Sequence, residues 1–489
     1  MPHGRKEPIY ETYLCLLLAM LLLSSCGNTS GTETTADPAA ETTAETAAET
    51  KLTADIPDVH YDGYTVTYLT GDPYVDHFRL ITELTGEPLS DAAYNRNLSV
   101  SDRLGVEFDA VQVDIAQVAS TLQNAVAAGD ATYDYVFPHA TVGVPAMVTG
   151  GLLYNIKSLP VVDFSKPWWN ESMTEALAIG ETAYYMSGDI VMTWQGMLAI
   201  LFNKDYLVNY NIEENLYDLV REGKWTYDKM LSLMEGVGMD LDGDGKMTAA
   251  DQFGMLGNLN TGYGTIIGCG QPLTTRNAEG YPTLALNTEK MITIVEKYYA
   301  MVNSPDTWMD AYGSTTYATS IYRDILIEGR SFFTELDIGG LYSYLREIEF
   351  DFGILPLPKF DETQKQHQIF CGAGLIGVPV NTPDPERSGA VAEALAFYSY
   401  EMLRPAFFDV VLENKSVRDE DSYEMITLMH ENKTFDFGFN FDATGQCYNM
   451  LKVVVIDKKS TDFASHYASV EKSIVSGFDK FIADFEANQ

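Results

Sequence analysis

Residues Val106–Phe137 read "VEFDAVQVDIAQVASTLQNAVAAGDATYDYVF". Val106–Val111 reads as a strand. Asp114 then offers a side-chain cap to a helix whose apolar face is Ile115, Val118, Leu122 and Val126, and Gly129 stops it. Tyr133–Phe137 is a second β-rich run. Upstream, Tyr64–Thr70 alternates and is closed by Gly71 and Asp72. Strand, helix and strand at these spacings predict a parallel α/β sheet.

Outward from this unit the pattern repeats with variations. Leu198–Phe202 is a continuous apolar run, as expected of a strand buried on both faces. Helix-rich sequence extends to about Arg346. Strands return at Phe352–Leu355 and Gly374–Val380. "TPDPERSGAVAEALAFYSYEML" from Thr382 is a helix, with Asp384 as cap, Pro385 in the first turn, and Val391, Ala394, Leu395 and Tyr398 on one face. No internal repeat is visible.

A chain of 489 residues exceeds one ordinary core, so two or three domains are expected. Hydrophobic residues at 46% mark a globular protein. Seventy acidic against 31 basic residues give a net charge of −39, which repels phosphate backbones and argues against nucleic-acid binding.

Arg5 and Lys6 precede the apolar run Leu14–Leu23, too short to span a bilayer and suited to a signal-peptide core. The run ends in Leu23-Ser24-Ser25-Cys26, which resembles the lipobox of bacterial lipoproteins and predicts Cys26 as the lipidated residue. Residues 1–25 are then a signal peptide. Residues 26–58, rich in Thr, Ala and Glu, form a disordered tether. Two or more acyl chains at Cys26 would hold the protein stably at a membrane surface, where one chain is marginal. Cys269, Cys371 and Cys447 remain, so at most one internal disulfide forms, and buried thiols are the default.

"DLDGDGKMTAAD", Asp240–Asp251, has the ligand spacing of an EF-hand calcium loop. Asp240, Asp242, Asp244 and Asp251 would supply side-chain oxygen, Lys246 its backbone carbonyl and Thr248 a water. A solvated acidic turn is the alternative. A sensor needs a second loop and an exiting helix. Neither is present, since "QFGML" after Asp251 reads as a strand. A structural Ca2+ staple is the reading; no organic cofactor is expected.

With these pieces in place, the chain resembles the extracellular solute-binding proteins, family 1, of bacterial ABC importers. The resemblance rests on the lipobox, "AYNRNLSVSDRLGVEF" from Ala93, "KPWWNESM" from Lys166 and "LFNKDYLVNYNI" from Leu201. It continues through "GKWTYDKM" from Gly223, the Asp-rich loop, "FDFGILPLPKFDETQ" from Phe350 and "GLIGVPVNTPDPERSGAVAEALAFYS" from Gly374. It implies an α/β fold of the periplasmic-binding-protein type II kind, two lobes joined by a multi-crossing hinge. By position, lobe 1 takes residues 59–197 and 372–408, and lobe 2 takes 198–371 and 409–489. It implies a carbohydrate, as an oligosaccharide, held between the lobes, delivery to ABC permease subunits, a monomer, and no chemistry.

A sugar presents C–H faces to aromatic rings and hydroxyls to polar groups. The resemblance and strand ends together nominate ligand contacts. Asp72 ends the first strand and would accept hydroxyls or cap the next helix. His139 follows "YDYVF" and is a contact or a structural histidine. Trp194 and Gln195 precede the first crossing and bind or pack the hinge. Glu335 ends Ser331–Thr334, where this family often places contacts. Trp168 and Trp169 belong to a family signature and bind or pack a lobe. Two carboxylates about 5–10 Å apart would instead serve a hydrolase, and a glycan-holding surface protein without transport is a further alternative. No GxSxG, HExxH or P-loop is present.

Overall fold

The structure is a computed structural model that describes residues 52–72, 81, 83–258, 260–310, 321–344, 346–372, 374–413, 420–442 and 446–488. The signal peptide, Cys26 and most of the tether lie outside these residues. Among the described residues no helix is long and apolar enough to cross a membrane.

The first sheet has the order β2-β1-β3, from β1 (Tyr64–Asp72), β2 (Val106–Asp114) and β3 (Tyr135–Phe137). Both neighbours pair parallel to β1, Leu69 lying opposite Val111 and Val136. The alternation of β1 decides its two faces. Val66 and Tyr68 enter one core cluster with Trp168, Val391 and Leu395; Leu69 enters another with Val118 and Leu122. α1 (Pro88–Leu104) precedes β2. α2 (Val118–Ala128) follows a 3-10 turn that Asp114 caps through Ala116 N, and it ends at Gly129, φ 69°. The predicted strand–helix–strand unit is therefore present, with one extra turn between cap and helix.

The second sheet has the order β10-β4-β9-β5-β8. Its strands are β4 (Leu198–Asn203), β5 (Phe253–Asn258), β8 (Thr307–Asp310), β9 (Ser331–Asp337) and β10 (Phe352–Leu355), with the short hairpin β6 (Thr274–Arg276) and β7 (Pro282–Leu284) apart from it. β5, β8 and β9 run parallel, while β4 runs antiparallel to β9 and β10. β4 is buried along its whole length, as its unbroken apolar run predicts. Helices α3 (Glu171–Ala176), α4 (Tyr227–Met234), α5 (Thr261–Gly268), α6 (Glu289–Val302), α7 (Pro385–Tyr398), α8 (Glu420–Glu431) and α9 (Phe463–Glu486) complete the frame. α7 begins as read: Asp384 accepts from Arg387 N and Pro385 stands in the first turn.

Two expectations change. The stretch up to Arg346 is not simply helical, for it supplies three strands of the second sheet. Gly374–Val380 forms no regular strand; it returns to the first lobe through single bridges, Ile376 to Met186, Gly377 to Val136 and Pro379 to Leu153. Pro379 has no N–H with which to continue a ladder.

The chain crosses between lobes where Met197 bridges Cys371 and Gly372 N donates to Gly196 O at 2.9 Å. A Cβ on Gly196 would lie 2.3 Å from Gly372 O, so glycine is what allows the two crossing strands to touch. Cys269, Cys371 and Cys447 are buried free thiols.

Candidate functional site

An aromatic pocket is formed by side chains from three separate stretches of the chain, residues 263–273, 370–371 and 434–440. α5 follows the carboxyl end of β5 and brings in Tyr263. β11 (Ile369–Phe370) brings Phe370 and pairs parallel with β12 (Lys433–Thr434), from which the chain runs on to Phe439 and Asn440. The Tyr263 ring stacks on Phe370 at 5.8 Å, and Phe439 meets Tyr263 and Phe370 edge-on at 5.1 and 4.8 Å. Tyr448 closes the group at 5.3 Å from Tyr263. Aromatic faces of this kind suit the C–H faces of a pyranose.

The polar groups divide into spent and unspent. Asp436 accepts from Leu273 N (2.8 Å), Thr274 N (3.3 Å), Thr274 Oγ1 (2.9 Å) and Gly438 N (2.7 Å), so its oxygens are committed to holding the wall. Burial still pushes its carboxyl above the usual range, against the pull of those donors. The Tyr263 hydroxyl, on a residue only 7% exposed, has no hydrogen-bond partner. A buried unpaired hydroxyl is costly and gains from any polar guest. Asn440 Nδ2 donates to Ala140 O at 2.8 Å and ties this wall to the end of β3. The pocket has room for about a single water as it stands.

The residues nominated from sequence fall into three groups. His139 is next to Ala140, with its Nδ1 facing Thr141 Oγ1 at 3.1 Å. Gln195 is half-buried at the crossing, packed against Gly339. Asp72 ends β1, and its side chain lies outside the described residues.

Trp168, Trp169, Trp194 and Glu335 are placed in the interior instead. Trp168 and Trp169 donate their indole N–H groups to one carboxylate, Glu393, at 2.9 and 2.8 Å inside the first lobe. Trp194 is fully buried, bonds Asp189 at 3.1 Å and packs on Phe407 at 4.0 Å. Glu335 lies between the second sheet and α5, under Gly264. Their apolar bulk, or in Glu335 the strand around it, is used in packing. Tyr263, Phe370, Phe439 and Asn440 were not singled out in sequence, because they stand far apart in the chain and no local pattern marks them.

In the Asp-rich loop, carboxylate oxygens of Asp240, Asp242 and Asp244 lie within 4.8 Å of one another. Asp240 also accepts from Gly243 N and Gly245 N, both at 2.7 Å, and Gly245 has φ 81°, the turn its glycine was expected to permit. Lys246 N donates to Asp244 at 2.8 Å. Asp251 differs from the expectation. It is buried, and its two oxygens accept from Leu241 N (2.8 Å) and Thr248 N (2.6 Å), so it ties the base of the loop. Those amides, Thr248's first, hold its carboxyl below the usual range. Three carboxylates converge, then, rather than four.

Comparison with solved structures shows the fold: it is shared with solute-binding proteins of the periplasmic type II kind, in agreement with the fold that the resemblance implies. An ABC substrate-binding protein from Listeria monocytogenes in complex with cycloalternan matches with a TM-score of 0.53 at 13% identity, over 86% of this chain and 98% of that one. UgpB from Mycobacterium tuberculosis in complex with glycerophosphocholine matches with a TM-score of 0.56 at 12% identity, over 86% and 99%. The cyclic α-maltosyl-1,6-maltose binding protein from Arthrobacter globiformis matches with a TM-score of 0.55 at 11% identity, over 87% and 100%. These neighbours are binding proteins rather than enzymes. No family model matches the chain, and no curated protein matches it by sequence.

Proposed function

We propose that this protein captures a carbohydrate, as an oligosaccharide, at the aromatic pocket of Tyr263, Phe370 and Phe439 and passes it unchanged to an ABC permease. The observation that supports this is the aromatic wall of Tyr263, Phe370 and Phe439, with a Tyr263 hydroxyl unpaired among the described residues, in a fold that sugar-binding proteins share. Ligand contact with both walls would favour the closed form by its preference for that form alone. His139 and Gln195 would join the contacts. The carboxylate in the pocket, Asp436, is saturated by four donors, which supports binding over hydrolysis.

We infer an anchor and a metal staple as well. Cys26 carries the lipid that anchors the protein outside the cell, and the Glu-rich tether holds it off the membrane. Asp240, Asp242 and Asp244, with the Lys246 carbonyl and a water at Thr248, hold a calcium ion that staples the loop.

A thermal-shift screen against mono- and oligosaccharides tests the main proposal. A ligand at about a hundred times its Kd adds about 2.7 kcal/mol. A panel without a single stabilising sugar would contradict it.

A further inference from the structure

Glu335 is an acid without a counter-charge. It is 3% exposed, and among the described residues its Oε1 has no hydrogen-bond partner and the Thr261 hydroxyl alone bonds the carboxyl. The groups facing it are neutral: Tyr227 and Met230 from α4, Thr261 and Thr265 from α5, Tyr298 and Met301 from α6, and Ile200 and Met255 from the sheet. No cation among the described residues acts on it, and the small cavity beside it has room for about a single water. Burial pushes its carboxyl up to about 8, against the opposing pull of Thr261.

Its position gives the proton a consequence. A Cβ on Gly264 would lie 2.9 Å from Glu335 Oε2, so α5 rests directly on this carboxyl. The same helix carries Tyr263, Ile266 and Ile267 into the aromatic pocket. The strand end itself is fixed, since Asn258 Nδ2 donates to the Glu335 carbonyl at 3.2 Å and Tyr322 donates to it as well. The helix is therefore the side that yields.

We propose that Glu335 is a positioning residue, protonated when α5 is seated, so that seating of the helix that carries Tyr263 is linked to a proton. Losing the proton leaves an uncompensated charge in a dry site. Relief comes from water reaching the carboxyl as α5 lifts. The link to ligand affinity rests on the carbohydrate-site reading above; the link to α5 does not.

The sign follows from linkage. With α5 lifted, Glu335 regains an ordinary carboxylate value, so the lifted form binds fewer protons. The opening constant then rises about tenfold per pH unit between about 4.5 and about 8, and levels above that. Hydrogen exchange of α5 amides in the ligand-free full chain, corrected for intrinsic rate, reads this directly.

The expected result is a loss of α5 protection of about a hundredfold between about pH 6 and about pH 8, abolished in Glu335→Gln. A flat wild-type profile, or a variant that tracks the wild type, overturns the proposal. Should the variant not fold, the wild-type infrared band of a protonated carboxylic acid at neutral pH decides, and its absence overturns the proposal. A maltotetraose titration run alongside separates the two readings: the exchange slope without sugar binding upholds the proton link while counting against the carbohydrate site.

Discussion

The Arg276 guanidinium, on the β6–β7 hairpin of the second lobe, donates to the Ala176 carbonyl of the first lobe at 2.7 Å and to Glu175 O at 2.9 Å. These are the last carbonyls of α3, which no helical amide satisfies. Gly180 N adds a bond to Gly280 O at 3.3 Å, so the hairpin is tied to the residues that end and follow α3. Arg276→Ala removes charge-assisted bonds each worth up to about 1.5–3 kcal/mol, less where solvent competes. The open fraction should rise on the order of tenfold, read from the distance between fluorophores placed on the two lobes. An unchanged distance distribution means that the hairpin does not brace closure.

Gly196→Ala tests the crossing. The added Cβ would meet Gly372 O at 2.3 Å, on a residue whose N–H donates to Gly196 O at 2.9 Å. Crowding of this kind costs about 1–3 kcal/mol. Chemical denaturation should show that loss; a midpoint equal to wild type rules out a close-packed crossing.

The paired tryptophans of the first lobe share one acceptor. Glu393→Ala leaves the Trp168 and Trp169 indole N–H groups buried without a partner, at about 1–3 kcal/mol each. Glu393→Gln should lose less, because one carbonyl oxygen remains. Equal denaturation midpoints for the two variants would show that the carboxylate is not what the indoles need.

His367 predicts an acid limb. Its Nδ1 faces Leu357 O at 2.8 Å, its Nε2 is unpaired, and burial, aided by Lys359, pushes it down to about 4. Between about 6.5 and about 4 the unfolded chain holds a proton there that the folded chain does not. Stability therefore falls as pH falls through that window, by on the order of 3 kcal/mol for this group. Burial, Lys433 and Arg404 depress His430 in the same direction, so His367→Gln should shallow the limb without abolishing it. An identical pH slope in the variant would place His367 outside the titration.

Calcium should raise the melting temperature of wild type, and a chelator should reverse it. Asp240→Asn with Asp242→Asn should abolish the difference, while Asp251→Asn should destabilise with or without the ion, because that side chain holds two backbone amides. No response to calcium in wild type would reduce the loop to a hydrogen-bonded turn.

What the sequence reveals is local. The alternation of Tyr64–Thr70, the cap at Asp384 and the unbroken run Leu198–Phe202 each act within a few residues, and the elements form where those signals lie. β9 shows no alternation in sequence because both its faces are buried, its Ser331, Thr334 and Glu335 included. The pocket is not local at all. Tyr263, Phe370 and Phe439 meet only because β11 pairs with β12 and α5 follows β5, and among 30 tyrosines and 23 phenylalanines nothing in the chain sets them apart. Trp194 and Glu335 show the converse: they stand near a crossing and a strand end, yet their side chains are buried.

The most direct measurement is titration calorimetry of neutral oligosaccharides against wild type, Tyr263→Ala and Phe439→Ala, with the sugar recovered afterwards. The account predicts saturable one-site binding in wild type, intact sugar, and a loss of about tenfold or more in affinity for each variant, the order expected for an aromatic contact with its buried area. Binding that neither variant weakens, or sugar returned as cleavage products, would contradict it.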